Sequence, residues 1–511
     1  MGKREATNLL AKISAFFINI LISFFLTKYI ISNIGEEAYG FIGLANDFIS
    51  YGQILTIALN SMAARFISIE IENMEYKSAN QYYSSLFFCN IFASIILSIV
   101  GAVIVLNIDH IVNVGEVNVI DIQLLWGFIF SGFILSLVGT AYTVATFCKN
   151  RLELEAIRTV ISLIIKAVLL VICYSLLPSY LWLVGCVTLI SNLYVFLYNI
   201  KYTRILIPEF KIKRKDFRLN KVTILLKSGI WNSLTQFGST LLSGLDLFVS
   251  NIFVGTIAMS LISVSKTIPK YILNLFAVMA SAFLPRMVIN SAHNNNQDIK
   301  NEILVQIKLF SIISSLPMII LIVFGEDFYR LWVPSMDSHL LWIITLLNCI
   351  SYAILLPLQP LWNIFTATNK LRVTSIYLIL EAILSISIEM LLLNFVDSDL
   401  TKLYIITGVS TFFTIVRSIV FLPLYSCKCL RLSPGFIYVV IIKNVASVGI
   451  YSAIFLKAKT LLIISNWMEL FLLTLLVSLI TLVANLYVFL SKKERNKYKD
   501  ILVSKIKKEL K

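Results

Sequence analysis

Charged side chains stand inside several long apolar stretches of this chain, away from the polar loops. The acidic ones, Asp47, Asp246, Glu381 and Glu389, are able to bind a proton or a metal cation. The basic ones are able to pair with an anion; they are Lys166, Lys266, Lys270, Arg417 and Lys443. Ionised groups are costly in an apolar environment, so they normally face one another or a watery cavity. The pattern therefore predicts an interior that handles ions or an anionic solute.

Each of these groups has two interpretations, and the residues alone leave both open. Asp47 and Asp246 either bind a coupling cation or gate a pathway, or they pair with a basic residue and lock the fold. Lys266 and Lys270 either hold an anion or extend to the surface. Glu381 and Glu389 are either a proton or sodium site or the counter-ions of Arg417; Lys443 is better explained as a partner for a neighbouring helix.

Two of the apolar stretches also carry a stripe of polar side chains. In 223–253 the stripe is Ser228, Asn232, Gln236, Ser239, Ser243, Asp246 and Ser250, and near the start of the chain it is Asn8, Lys12, Asn19, Ser23 and Thr27. The steps of mostly three or four residues place each set on one helix face. Hydrocarbon offers such groups no partner, so both faces should line a protein interior or a cavity. Asn19, Asn232, Gln236 and Asn274 are the candidates for hydrogen bonds to a polar solute.

Composition identifies the elements that position these groups as membrane-spanning helices. The chain has 511 residues, of which 58% are hydrophobic and only 14% charged. Segment lengths favour helices over a barrel. We expect an all-α integral membrane protein with about fourteen spans. They are 9–31, 41–62, 83–106, 120–147, 157–177, 180–200, 223–250, 254–284, 303–325, 340–367, 373–395, 402–425, 436–457 and 461–490.

Lys and Arg are concentrated in alternate loops. The most basic loop is KYTRILIPEFKIKRKDFRLNK, and the tail after Leu490 is basic as well. By the positive-inside rule both termini are cytoplasmic. The same asymmetry accounts for much of the formal net charge of +15 without nucleic acid. For the basic loop and tail, topology plus attraction to anionic lipid is favoured over a specific partner site.

The chain repeats internally. ISNIG at 31–35 is echoed by VSNIF at 249–253, Tyr51 by Tyr271, and FCKNRLEL at 147–154 by TATNKLRV at 366–373, with offsets of 218 to 220. This predicts two halves of about six spans each, related by an axis along the membrane normal, with a site between them. The predicted domains are 1–200 and 223–426 for the two bundles, 201–222 for a basic cytoplasmic linker, 436–490 for two extra spans, and 491–511 for a basic tail.

Signals for catalysis are missing from the sequence. The three histidines show no metal-ligand spacing, and no glycine-rich nucleotide loop precedes a helix. The seven cysteines form neither a disulfide framework nor a zinc site. We therefore predict no enzyme activity and no cofactor.

The polar first helix, the segment SNIGEEAYGFIGLANDF with Gly35, Tyr39 and Gly40, and the TATNKLRV turn together resemble bacterial polysaccharide flippases. These are the O-antigen and capsule repeat-unit translocases of the multidrug/oligosaccharidyl-lipid/polysaccharide exporter superfamily. The resemblance implies a V-shaped pair of bundles in the bacterial cytoplasmic membrane. By alternating access, these carry an oligosaccharide on undecaprenyl pyrophosphate, with H⁺ or Na⁺ as the coupling ion. Polysaccharide polymerases, glycosyltransferases and membrane lipids are the implied partners.

On this resemblance, Lys166, Lys266, Lys270 and Arg417 would pair with the pyrophosphate. The two extra C-terminal spans also occur in lipid II flippases, where they form a groove for the lipid tail, so lipid II is an alternative cargo. Two further alternatives remain: a cation-coupled drug exporter, whose branch usually has twelve spans, and a membrane glycosyltransferase or polymerase.

Overall fold

The computed structural model describes residues 3–281, 283–284, 287, 296–368, 370–492 and 494–496. Several sequence-based predictions fall outside these residues: the turn at Asn369, His293 and most of the predicted tail. The side chains of Asn8, Lys12 and Ser243 are also outside the description. What was expected of them stays a prediction.

The described chain is built from α-helices, and its contacts divide it into two compact units. Unit 1 comprises Met1–Ser263 and Ser375–Ile386, and unit 2 comprises Val264–Thr374 and Ser387–Lys511. The helices up to the unit boundary are α1 (Lys3–Ile34), α2 (Glu36–Glu72), α3 (Tyr76–Leu106), α4 (Ile108–Ile111), α5 (Val119–Cys148), α6 (Leu152–Leu176), α7 (Trp182–Leu206), α8 (Leu219–Phe253) and α9 (Thr256–Ser265).

The remaining helices follow in chain order. They are α10 (Thr267–Ser281), α11 (Asn296–Trp332), α12 (Ser338–Cys349), α13 (Tyr352–Leu355), α14 (Trp362–Ala367), α15 (Leu371–Leu393), α16 (Asp399–Val416), α17 (Leu422–Leu430), α18 (Gly435–Lys459) and α19 (Trp467–Phe489). The middle of α15 belongs to unit 1 and its two ends to unit 2.

The expectation of an all-α membrane fold is confirmed. Among the described residues, eleven helices are long and apolar enough to cross a membrane, or twelve if α2, bent by 59°, counts as one span. The predicted number was about fourteen. Predicted spans 7 and 8 account for the difference: α8 carries the polar stripe, and 254–284 is divided into α9 and α10.

Proline explains why predicted span 8 is divided. Pro269 has no N–H, so it cannot donate to the carbonyl of Ser265 four residues earlier. That carbonyl lies at the end of α9 and instead accepts a hydrogen bond of 3.4 Å from the Thr345 hydroxyl. Lys266 is the residue between the two helices. A sequence-based candidate for anion binding thus lies at a helix break.

A second proline has the same effect at the end of α16. Pro423 leaves the carbonyl of Ile419 without its helical donor, and the Tyr438 hydroxyl donates to that oxygen at 3.0 Å. The helix widens there into a π-helical turn, Arg417–Phe421. Such turns interrupt a regular helix and often occur at functional sites. Arg417 is the first residue of this π-helical turn.

The internal repeat is visible in the backbone at one junction. Gly35 joins α1 to α2 with φ +86°, and Gly255, 220 positions later, joins α8 to α9 with φ +132°. Only glycine adopts such angles without strain. Corresponding junctions of the two predicted halves therefore use the same residue type for the same conformational reason.

The extra C-terminal helices are part of the core of unit 2. Their residues Ile437, Val440, Val448 and Phe489 pack in one apolar cluster with residues of α10 to α14 and α17. Asn485 on α19 donates to the Ile312 carbonyl at 2.9 Å and to Ser315 at 2.7 Å. Amide groups of this kind hold membrane helices together because hydrocarbon offers them no alternative partner.

Candidate functional site

Helix α8, which carries the longer polar stripe, packs along α2 within unit 1. A Cβ added at Gly229 would lie 1.9 Å from the carbonyl oxygen of Ala58, so the two backbones are in close contact there. Ser233 donates to the Ile54 carbonyl at 2.6 Å, next to the bend of α2. A hydroxyl that binds a helix carbonyl is a known cause of such bends. Towards the other end of the seam, the rings of Phe48 and Phe248 lie 6.0 Å apart.

The stripe on α8 is not uniform along its length. Ser228 and Gln236 are exposed, Asn232 and Ser239 are half-buried, and Asp246 and Ser250 are buried. Gln236 donates to Thr240 on its own helix at 3.2 Å. The exposed part offers amide and hydroxyl groups to a solute, and the buried part places a carboxylate in the interior of unit 1. Asn19, on α1, is half-buried and accepts a hydrogen bond from Ser23 at 3.0 Å.

Asp47 and Asp246 lie close enough to Tyr51 to act electrostatically on its hydroxyl. That hydroxyl packs against α8, since a Cβ on Gly244 would lie only 2.7 Å from it. Asp246 is 3% exposed. Two carboxylates beside a phenol are suited to holding a proton or a small cation. Sequence reasoning selected both aspartates but missed Tyr51, although it lies one turn after Asp47 and repeats at Tyr271.

Both glutamates of α15 are buried, with 3% exposure for Glu381 and 2% for Glu389. The unit 1 part of this helix packs on α8: Ser375 donates to the Trp231 carbonyl at 2.9 Å, and Leu378 lies against Gly238. Glu381 belongs to that part, whereas Glu389 belongs to unit 2. Their roles as coupling groups or as counter-ions of Arg417 stay predictions.

Three of the predicted cations lie in unit 2. Lys266 is half-buried at the break between α9 and α10, and Lys270 follows it one turn later on the surface, with Asn274 exposed beyond it. Arg417 is half-buried in the π-helical turn and lies close enough to act electrostatically on Tyr352. The fourth predicted cation, Lys166, is half-buried on α6 in unit 1, and α6 packs against α1.

An apolar cleft of about 250 Å³ lies in unit 2 beside the extra C-terminal helices. Ile268 and Ile272 of α10 form one wall, α11 forms another around Pro317, and α19 contributes Leu470 and Thr474. Lys270 and Asn274 are two residues further along α10 than these isoleucines, which places them on roughly the opposite face of the helix. Helix α10 therefore presents its apolar face to the cleft and carries its polar residues on the opposite face.

The end of α2 that is predicted to lie outside the cell is held by a hydrogen-bonded cluster, the outer cluster, within unit 1. The buried amide of Asn251 accepts from the backbone N–H of Asn113 at 2.7 Å and donates to its carbonyl at 2.9 Å. Glu37 accepts from the Thr256 hydroxyl and from the backbone N–H of Glu116. The loop after α4 is thereby fixed to the ends of α2, α8 and α9. None of these residues was selected from the sequence.

Within the described part of the chain, no group of three or more His, Cys, Asp and Glu side chains is arranged to hold a metal ion. The seven cysteines are free thiols. Unit 1 thus offers carboxylates, amides and hydroxyls, and unit 2 offers cations and an apolar cleft.

Comparison with known proteins gives the fold a context. No family model matches the chain. An uncharacterised membrane protein of Bacillus subtilis (strain 168), EpsK, is 25% identical over 423 residues, which is 82% of each chain. Among solved structures, the lipid II flippase MurJ in an inward closed conformation has a TM-score of 0.69 at 14% identity, covering 96% of this chain and 99% of that one.

A multidrug resistance transporter of the MATE family, in an inward-facing conformation, has a TM-score of 0.62 at 14% identity and covers 83% of this chain. A transporter from Pyrococcus furiosus, whose binding pocket has reversed polarity, has a TM-score of 0.61. The chain thus has the fold of transporters of the multidrug/oligosaccharidyl-lipid/polysaccharide exporter superfamily, as the sequence resemblance implied. The solved structures that it resembles are transporters and flippases, not enzymes.

Proposed function

We propose that this protein flips an undecaprenyl-pyrophosphate-linked oligosaccharide repeat unit across the bacterial cytoplasmic membrane for surface polysaccharide synthesis. The observation that carries the proposal is the extent of the structural match. The drug transporter matches 83% of the chain, whereas the lipid II flippase matches 96%. A fold shared over nearly the whole chain with a flippase of a lipid-linked saccharide supports a cargo of that chemical class.

The polar groups suit such a cargo. A pyrophosphate cannot enter hydrocarbon without losing its hydration, so it needs cations in a polar pathway. We assign this role to Lys166, Lys266, Lys270 and Arg417. The sugar hydroxyls need amide and hydroxyl partners, which we assign to Asn19, Asn232, Gln236 and Asn274.

The lipid tail of the proposed cargo requires an apolar environment. An isoprenoid chain is entirely apolar and gains nothing from the polar face of α8. The cleft between α10, α11 and α19 has an apolar lining and is bordered by a helix with a polar opposite face. We assign the first part of the tail to this cleft, with the rest in the bilayer.

Alternating access requires a driving force, and the described residues include acidic groups fit to bind an ion. We propose H⁺ or Na⁺ coupling through Asp47 and Asp246 around Tyr51, with Glu381 and Glu389 as further candidates. Both termini are assigned to the cytoplasm. Polysaccharide polymerases and glycosyltransferases are the proposed partners, since they consume and supply such a cargo.

The experiment replaces Lys266→Gln, Lys270→Gln, Asp47→Asn and Asp246→Asn singly and measures surface polysaccharide at equal protein levels. We expect each to lower output by roughly tenfold, as for a lost charge-assisted contact. Lys443→Gln is the matched control, because Lys443 is an exposed lysine on α18 that donates to the Val488 carbonyl. Unchanged output from all four site variants would remove the site assignment.

Lipid II is the second candidate cargo, and the whole-length match to its flippase favours it. The two cargoes are separated by complementation. A strain lacking its lipid II flippase would be rescued for growth if lipid II is the cargo, whereas a repeat-unit flippase would restore only surface polysaccharide. Drug resistance without any change in surface glycan would instead identify an exporter.

A further inference from the structure

The linker between α7 and α8 is fixed to α3 through its backbone. We call residues 208–218 the docked linker. Asn80 on α3 accepts from the N–H of Lys211 at 2.9 Å, donates to its carbonyl at 2.9 Å, and donates to the carboxylate of Asp216 at 2.8 Å. The hydroxyl of Ser85 accepts from the N–H of Arg218 at 2.9 Å. The linker thus has one defined conformation on α3, held by neutral side chains.

The apolar side chains of the docked linker point towards α3. The ring of Phe210 stacks on Tyr83, with centroids 4.7 Å apart, and Ile212 and Phe217 pack against the same apolar cluster of α2, α3, α5 and α8. Tyr83 is 1% exposed. Hydrophobic burial and hydrogen bonds therefore fix the same segment.

The cationic side chains of the docked linker point away from the protein. Lys211, Lys213, Arg214, Lys215 and Arg218 are all exposed. Within the described residues, the first four form no ion pair. The docked linker contains two carboxylates: Asp216, which accepts a hydrogen bond from Asn80, and Glu209, which is exposed. Its five cations outnumber these two carboxylates, which leaves an excess of positive charge on a fixed backbone.

The end of α7 extends this charged surface. Tyr198 and Tyr202 lie 4.4 Å apart, and the Lys201 ammonium lies 6.0 Å from the Tyr202 ring. Arg204 is exposed in the last turn. Tyrosine combined with Lys and Arg is the composition typical of the membrane–water interface. Because the linker directly follows α7, a candidate membrane span, we place its charges near the level of the lipid headgroups.

We propose that the docked linker is a binding surface for anionic phospholipid headgroups of the inner leaflet. A compact diphosphate would require cations that converge on one point. Here the five cations are distributed over residues 211–218, which include the short 3-10 helix Arg214–Asp216, and all of their side chains are exposed. Such a row matches several singly charged headgroups side by side, and its three lysines act as point charges without bidentate geometry.

The test uses the full-length protein in vesicles of equal phosphatidylglycerol and phosphatidylcholine. After mild detergent extraction, lipids retained by the protein are counted by mass spectrometry. The linker variant carries Lys211→Gln, Lys213→Gln, Arg214→Gln and Lys215→Gln. We expect the wild type to retain phosphatidylglycerol preferentially and the linker variant to lose this preference by roughly threefold or more. Raising the salt concentration should weaken the wild-type preference in the same direction.

A control variant removes the same charge elsewhere on the predicted cytoplasmic side: Arg65→Gln, Lys77→Gln, Lys149→Gln and Lys428→Gln, all exposed. An equal loss in this control would attribute the effect to net charge and overturn the proposal. Asn80→Ala keeps every cation but removes three docking hydrogen bonds, so we expect an intermediate preference. Full retention in Asn80→Ala would also overturn the proposal, since the docked geometry would then be irrelevant.

Two further results separate this surface from the transport function. The measurement is repeated in vesicles that also contain undecaprenyl pyrophosphate. If the linker variant then retains less undecaprenyl pyrophosphate and unchanged phosphatidylglycerol, the surface belongs to the cargo and the proposal is wrong. If the linker variant loses the preference for phosphatidylglycerol, the linker proposal is supported. This result does not depend on whether the protein transports a saccharide. Gel filtration of each variant confirms that it is folded.

Discussion

Glu494, just after α19, accepts hydrogen bonds from the Lys308 ammonium at 2.6 Å and from the N–H of Ser491 at 2.8 Å. These interactions stabilise the carboxylate and lower the pKa of Glu494 from its ordinary 4.5 to about 2. Because the folded pKa is depressed, the stabilisation is complete above about pH 4.5 and is lost as the pH falls towards 2.

The corresponding prediction concerns Glu494→Gln. Hydrogen exchange of residues 491–496 should be faster in the variant by about 2–5-fold at pH 7, as for a partly exposed ion pair. The difference should shrink in acid, where the wild-type carboxylate becomes neutral. A pH-independent difference would mean that the carboxylate's charge is not what holds this segment to α11.

Tyr51 carries a second prediction. Within the described residues its buried hydroxyl has no hydrogen-bond partner, so Tyr51→Phe should leave the melting temperature nearly unchanged. If Asp47 and Asp246 bind the coupling ion, losing the hydroxyl near them should lower transport by roughly threefold and shift its pH profile. A transport rate and pH profile identical to wild type would exclude Tyr51 from the site.

At the scale of helices, the close approach of α2 and α8 depends on Gly229. The atom that an added Cβ would meet is a backbone carbonyl, which cannot rotate away. Gly229→Ala should therefore destabilise the protein by about 1–3 kcal/mol, measured by thermal unfolding in detergent. Gly449 on α18 is the matched control, since its added Cβ would meet nothing within 4 Å. Equal stability of the two variants would contradict the contact.

The outer cluster gives another helix-level prediction. Asn251→Ala would leave the backbone N–H and carbonyl of Asn113 without their partner, at a cost of about 1–3 kcal/mol. Hydrogen exchange of residues 112–117 should rise accordingly. Asn33 occupies the equivalent place in the repeat and bonds the Tyr29 carbonyl of its own helix, so Asn33→Ala should leave that loop unchanged. Similar exchange in both variants would show that Asn251 does not fix the loop.

At the scale of the whole molecule, the charge asymmetry of the loops makes a topological prediction. In a cysteine-free background, a cysteine at exposed Glu116 should react with a membrane-impermeant thiol reagent added to intact cells. A cysteine at exposed Lys213 should react only after the cells are opened. Labelling of Lys213→Cys from outside would reverse the orientation and remove the inner leaflet from the linker proposal.

The sequence predicted the membrane fold well because its signals are local. Apolar runs of sufficient length identify spans, and Asp47 and Asp246 were selected because charges are rare inside them. Pro269 is a local signal for the division of span 8, whereas the bond from Thr345 to the freed Ser265 carbonyl is long-range and appears in no local pattern. Tyr51 was missed because tyrosine is common in membrane helices and gains its interest only from the two aspartates around it. The docking of the linker was missed because its contacts are long-range: Asn80 and Ser85 lie more than a hundred residues from their partners.

The docked linker has a consequence for the order in which the helices fold. It leads directly into α8, whose partners on α2 and α3 all precede it in synthesis. Domains generally form from the N-terminus onward as the ribosome proceeds, so α8 can settle on a finished surface before α10 exists. A chain truncated after residue 263 should therefore already shield from protease the face of α8 that packs on α2, whereas the face that packs on α15 is still uncovered.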